Sequence, residues 1–253
     1  MGDHLQATRH AGLERLSAFL PRAGRAYAKS RNYDFGQHTR GNISGLSPFI
    51  RHRLITEDDV VRRTLQRHAL TSAEKFVQEV CWRTYWKGWL EHRPGLWDAY
   101  IVHVENEQRR VAADPVLSAA YAEAIEGRTG ITCFDDWVNE LQSTGYLHNH
   151  TRMWFASIWV FTLELPWVLG ADHFFRHLLD GDPASNTLSW RWVAGLQTKG
   201  KTYLARSDNI ATFTEGRYPD TRQLSASAAA LEDDLPEQSL TALAKRPAPP
   251  ANL

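Results

Sequence analysis

The chain has 253 residues, enough for one sizeable buried core, and 43% of them are hydrophobic. Lys plus Arg and Asp plus Glu balance at 29 each, so the overall charge selects no class of partner. Two cysteines, Cys81 and Cys133, exclude a disulfide scaffold and any four-cysteine metal cluster.

In chain order the elements are helical. Leu13, Leu16, Phe19 and Leu20 space a short amphipathic helix that Pro21 stops. From Arg22 to Arg67, ten Lys/Arg stand against four acids, which suits either a phosphate-facing surface or a solvated helix face. Thr56-Glu57-Asp58-Asp59 reads as a capping box that opens a helix through about Leu70. Thr71-Ser72-Ala73-Glu74 opens another, running to about His92 before Pro94. Thr132-Cys133-Phe134-Asp135 repeats the cap pattern, and Gly145 is placed to end that helix. A long helix follows from about His148, with Pro166 breaking or kinking it. No strand alternation and no Gly-rich phosphate loop after a strand occur, so the expected class is all-α. The run Met153–Leu163 is too short to span a bilayer and reads as a core helix. The N-terminus carries no apolar secretory segment, and we expect a cytoplasmic protein without membrane partners. Beyond about Arg222 the composition turns to Ala, Ser and Pro, as in a mobile tail.

Three clusters carry chemistry. In His148-Asn149-His150 the two histidines lie about 200° apart on a helix, so they do not form the i, i+4 chelate that a helical metal site needs, and no metal is expected. Asn149, Arg152, Met153 and Ala156 do share one helix face. Phe76, Glu79, Arg83 and Trp86 repeat that spacing, with Trp82 alongside. Such a stripe lines a polar cavity, or else Glu79 and Arg83 form an i, i+4 surface pair. The third cluster, Asp180-Gly181-Asp182-Pro183-Ala184-Ser185-Asn186, does not have EF-hand spacing, and alone reads as a turn as readily as a site.

Together, GNISGLSPFI, FVQEVCWRTYW, TGYLHNHTRMWFAS and LLDGDPASNTLSWRW resemble, in order and approximate spacing, the FAD-binding domain of the cryptochrome/DNA photolyase family over roughly residues 10–220. The resemblance implies a helical FAD-binding domain without the family's N-terminal α/β antenna domain. The expected layout is a helical lead-in (1–40), the FAD-binding and catalytic domain (41–222) and the tail (223–253). It assigns Ile43-Ser44-Gly45-Leu46-Ser47 to the phosphate-binding loop, where the family has Thr-Ser-Arg-Leu-Ser; Asn42 or Arg40 are candidates to replace the lost hydroxyl and cation. Tyr33 is a further flavin contact. Arg83 matches a cofactor-side arginine, and Asp180 and Asp182 match the acids near ribose and isoalloxazine, with Gly181 between them in the cofactor-binding set. Arg152 is expected to pair with Asp180, and Asn186 to face flavin N5.

Glu79, Trp82, Asn149 and Met153 match the positions that meet the lesion in cyclobutane-dimer repair enzymes. Trp190 and Trp167 match the first two members of the electron relay; no tryptophan stands at the expected third, so either Tyr121 or Trp159 substitutes or the relay is short. His150 replaces an arginine of the family pattern, Phe76 replaces a tryptophan, and Phe213 and Gly216 stand where iron–sulfur members carry C-x-x-C. The implied function is light-driven, FAD-dependent repair of pyrimidine dimers in DNA, with a preference for single strands. The alternative is a cryptochrome-like blue-light sensor or a nucleic-acid-binding flavoprotein without repair. A separate antenna or signalling partner stays open.

Overall fold

The structure, a computed structural model, describes residues 6–219, 221 and 223–232. Twelve α-helices and no strand occur among the described residues. They are α1 (Arg9–Phe19), α2 (Arg25–Ser30), α3 (Ser47–Arg51), α4 (Glu57–Arg67), α5 (Leu70–Glu91), α6 (Pro94–Ala113), α7 (Pro115–Ile125), α8 (Thr132–Thr144), α9 (Asn149–Ser157), α10 (Trp167–His177), α11 (Pro183–Val193) and α12 (Ser207–Phe213).

Local chemistry sets most of the boundaries. The capping box at Thr56 forms as expected: the Thr56 hydroxyl accepts from the Asp59 N–H at 3.1 Å, and the Asp59 carboxylate accepts from the Thr56 N–H at 2.9 Å. The α5 helix starts one residue before Thr71, capped by no side chain. The cap expected at Thr132 is not one. Thr132 is the first helical residue after Ile131, and Asp135 turns back to accept from the N–H groups of Thr129 and Gly130, both at 2.9 Å. An Asx-type bond to the preceding turn competes successfully with the helix for that carboxylate. Gly145 ends α8 in the left-handed region, φ 65°, and a Cβ there would meet Leu179 Cγ at 2.6 Å, so the turn and the close packing both demand glycine.

The helix from His148 is shorter than expected. It passes at Ile158–Thr162 into a π-turn, whose Leu163 N–H reaches the Ile158 carbonyl at 2.9 Å, and the chain reverses before Pro166.

Two apolar clusters hold the helices. The larger runs through α6–α12 around Trp137, Trp154, Trp159 and Trp190. The smaller joins Leu16, Phe19, Leu46, Phe49, Ile55 and Val60 to Phe76 and Val80 of α5. Residues on both sides of position 40 contribute to it. Helix α5 belongs to both clusters, packing on α2 and α4 at one side and on α11 at the other. Of the segment 223–253, expected as a mobile tail, residues 223–232 lie along the body. There Ser225 N–H donates to the Thr162 hydroxyl and Leu231 N–H to the Ala194 carbonyl, both at 3.1 Å. The remainder lies outside the described residues. No described helix is long and apolar enough to cross a membrane. The two cysteines are unpaired, Cys133 buried and Cys81 exposed.

Candidate functional site

Helices α5, α9 and α11 and the loop before α3 enclose a cavity of about 900 Å³. Three segments far apart in sequence converge there. From α5 come Glu79, Trp82 and Arg83; from α9 come Asn149, Arg152 and Met153; and from the α10–α11 region come Asp180, Gly181, Asn186 and Trp190. All five residues of the Ile43–Ser47 loop form part of the wall. The α5 and α9 stripes therefore face one another across a cavity.

At the base, Arg152 is held from three directions. Its Nη2 donates to Asp180 Oδ2 at 3.0 Å, its Nε donates to the Leu147 carbonyl at 2.9 Å, and its guanidinium lies 5.2 Å from the Tyr146 ring centre. Arg40 covers the same ring at 4.6 Å and pairs with Glu140. Burial works against ionisation of Asp180, but the charges of Arg152 and Arg83 and the Ser47 hydroxyl hold its carboxyl below the usual range. The other Asp180 oxygen, Oδ1, and Arg83 Nη1 are both buried without a hydrogen-bond partner. A buried anion and a buried cation with open bonding capacity fit a polar ligand at this wall. Asn186 donates its Nδ2 to the Ala171 carbonyl at 2.8 Å, which leaves its amide oxygen as an acceptor.

Toward the mouth, Glu79 pairs with Arg31 of the α2–α3 connection, not with Arg83 one helical turn along. The surface pair that the i, i+4 spacing allowed is thus not made. Trp82 is 50% exposed and stacks on Trp86 at 5.7 Å and 25°, leaving the rest of the indole open to the outside.

Three expected site residues are not on the wall. Tyr33 stacks on Phe35 at 5.6 Å and meets Phe213 at 5.1 Å, while Tyr27 of α2 lines the cavity. Burial and the charge of Glu79 raise the Tyr27 pKa, keeping its hydroxyl protonated. Asp182 serves as the N-cap of α11, accepting from the Ala184 and Ser185 N–H groups at 3.0 Å, with Arg51 and Lys87 each 3.7 Å away. Trp167 is buried beside Tyr100 at 5.8 Å. Among the described residues the rings that touch Trp190 belong to Phe155, Phe174 and Trp159.

The wall also includes Trp86 of the α5 stripe, and residues that no sequence pattern singled out: Tyr27, Arg31, Tyr146, Trp89, and the loop residues Gln197 and Thr198. No local pattern marks Arg31, because only the fold brings it to Glu79. His150 is on the wall, bonded to the Asn32 carbonyl at 2.9 Å and the Tyr203 hydroxyl at 3.2 Å and stacked on Trp154 at 4.3 Å. His148 caps α9 and accepts the His150 N–H at 3.2 Å.

The family model described as the FAD binding domain of DNA photolyase matches residues 76–227. The chain is 31% identical over 198 residues to a deoxyribodipyrimidine photo-lyase of Streptomyces griseus, covering 73% of this chain and 41% of that protein. It is 28% identical over 262 residues to one of Synechococcus sp., covering 96% and 51%. Among solved structures, a class III photolyase of Agrobacterium tumefaciens superposes with a TM-score of 0.67 at 25% identity, covering 84% of this chain and 44% of that one. A Synechocystis cryptochrome shares the fold, with a TM-score of 0.68 at 20% identity over 88% of this chain and 47% of that one. The chain spans about half or less of the length of these relatives.

Proposed function

The chain belongs to the FAD-binding-domain family of the DNA photolyases and cryptochromes, and from that premise we propose that it repairs cyclobutane pyrimidine dimers in DNA by light-driven electron transfer. One observation carries this reading: Glu79, Trp82, Asn149 and Met153 line the same cavity as Arg152, Asp180 and Asn186. A lesion-binding set and a flavin-binding set then have one space in common.

The residues present suit FAD. Arg83 and Asp180, with their unpartnered buried atoms, and Arg152, Asn186 and the Ile43–Ser47 loop would hold it. Bound there, FAD would supply light-driven one-electron chemistry toward the dimer. The protein's part is position and electrostatics. Trp82 offers an indole face on which a flipped-out base can stack. Glu79, steered by Arg31, is set to engage the polar edge of a thymine, and Asn149 adds an amide donor and acceptor. Met153 supplies apolar surface against the pyrimidine ring and helps to keep water out. Asn186 would keep its amide oxygen free to accept from the cofactor, and the Arg152–Asp180 pair would hold the charge pattern at this wall.

For the relay, ring contacts favour Trp190–Trp159–Tyr121 over a path through Trp167. Trp190 meets Trp159 at 6.2 Å and Trp159 meets the partly exposed Tyr121 at 6.0 Å. The cavity wall is thereby linked to the surface by three rings.

The half-exposed Trp82 and Tyr85 at the mouth suit an unpaired strand, whose bases are free to stack, and so favour single-stranded DNA as the preferred substrate. The test is dimer repair by the reduced protein under blue light, on single- and double-stranded oligonucleotides carrying one dimer. Repair of both, faster on the single strand, is expected. FAD uptake without repair would leave the sensor reading instead.

A further inference from the structure

Gly45 occupies the middle of the cavity-lining loop Ile43–Ser47 in the left-handed region, φ 59°. The space where a side chain would leave that position is already filled. Arg15 of α1 reaches over the loop, and a Cβ on Gly45 would stand 2.7 Å from its Nε and 2.8 Å from its Cζ. The same Nε donates to the Ser44 carbonyl at 2.9 Å. Glycine at 45 therefore does two things: it permits the turn and it seats a guanidinium on the loop.

Arg15 differs from its neighbours in charge balance. Arg31 is paired with Glu79, Arg40 with Glu140 and Arg152 with Asp180. Arg15 has no carboxylate partner among the described residues and keeps both terminal nitrogens for another acceptor. The two nearby candidates for a loop cation or donor are committed elsewhere. The Asn42 amide donates to the Ser30 carbonyl at 2.9 Å and the Tyr33 carbonyl at 2.8 Å, and Arg40 faces Glu140 and the Tyr146 ring. Beside Arg15 the loop adds the Ser44 hydroxyl, while the Ser47 hydroxyl turns to Asp180. Among the described residues no acceptor takes the N–H groups of Gly45 and Ser47. An unbalanced guanidinium beside a hydroxyl and open amides is a set of donors for an anion.

A flavin dinucleotide carries its anionic charge on the diphosphate; of the wall cations, Arg31 and Arg152 are paired and Arg83 stands near Asp180. We propose that Arg15 binds the FAD diphosphate, supplying from α1 the cation that the loop lacks at position 45. The inference rests on the FAD reading above and deepens it: it makes the first helix part of the cofactor site, and it makes the site selective for a dinucleotide over a flavin without phosphates. Arg15 and residue 45 are then alternatives, because an arginine side chain at 45 cannot leave the backbone while the Arg15 guanidinium occupies that space.

The test is titration of apoprotein with FAD and with riboflavin, following flavin fluorescence, for wild type, Arg15→Gln, Gly45→Arg and the double variant Arg15→Ala/Gly45→Arg, with thermal unfolding as a control for folding. Wild type should prefer FAD to riboflavin. Arg15→Gln should weaken FAD binding about tenfold or more and leave riboflavin unchanged, as expected for the loss of a charged hydrogen-bond donor. Gly45→Arg alone should also weaken FAD, and the double variant should recover part of the loss. Equal weakening of FAD and riboflavin by Arg15→Gln would mean that Arg15 only props the loop, and would overturn the proposal. So would an unchanged affinity for FAD. A wild-type protein that takes up no FAD would overturn the cofactor reading itself, a result distinct from either.

Discussion

Acid should unfold this protein partly through one histidine that has no role in the cavity. His173 of α10 is 5% exposed, its ring lies 6.3 Å from Trp159 and 4.3 Å from His177, and its Nε2 has no partner. Burial, reinforced by the neighbouring His177, lowers its pKa from 6.5 to about 4. The unfolded chain takes up this proton at ordinary pH values and the folded chain resists it. The stability held by the neutral ring is therefore complete above about pH 6.5 and is lost as the pH falls toward 4. Between pH 7 and pH 5 the loss from this one group is about 2 kcal/mol. His173→Phe keeps the ring and removes the titration, at a repacking cost of about 1.5 kcal/mol or less. Urea denaturation of both proteins at pH 7, 6 and 5 measures the effect. The wild type should lose about 2 kcal/mol more than the variant over that range. Parallel losses in the two proteins would refute the assignment of a neutral, unsatisfied His173 in the fold.

Gly170→Ala should destabilise by about 1–3 kcal/mol in spite of the better helix propensity of alanine, because its Cβ would sit 2.5 Å from Trp190 Cζ3 and 2.9 Å from Trp159 Cε2; chemical denaturation reads this. Trp159→Phe should slow light-driven reduction of bound flavin at least about tenfold, roughly 1.4 kcal/mol in barrier, whereas Trp167→Phe should leave it within a factor of about two, and transient absorption separates the two routes. Glu79→Ala and Trp82→Ala should each lower repair about tenfold or more with flavin content unchanged; loss of flavin in either variant would move these residues from the lesion side to the cofactor side. His148, whose pKa burial lowers to about 4, adds an acid-sensitive loss of the same sign as His173, so His148→Asn should flatten the wild-type pH profile further.

Signals contained in a few neighbouring residues were legible in the sequence. The Thr56–Asp59 box and the Gly145 stop are decided by bonds within one turn, and both form. The block from Asn149 to Met153 was legible because a helix turns spacing into a shared face. What depended on the third dimension was not. Glu79 had an arginine one helical turn away at 83 and pairs instead with Arg31, 48 residues earlier. Tyr33 was the tyrosine matched to the flavin, but the path of residues 31–46 sends it to Phe213 and leaves Tyr27 on the cavity. Asp182 is part of the matched motif but is consumed by capping α11. Trp159 gains its place next to Trp190 from Gly170, whose missing side chain lets both indoles approach, and nothing in a linear pattern signals that clearance.

The central claim is that one cavity holds both reduced flavin and a damaged base, and dimer repair tests it most directly. The reduced wild-type protein is mixed with a single-stranded oligothymidylate carrying one cyclobutane dimer, illuminated with blue light, and the recovery of intact thymines is followed against a dark control. The account predicts light-dependent, multiple-turnover repair that Glu79→Ala and Trp82→Ala diminish. Flavin-loaded wild-type protein that leaves the dimer intact under illumination would contradict it.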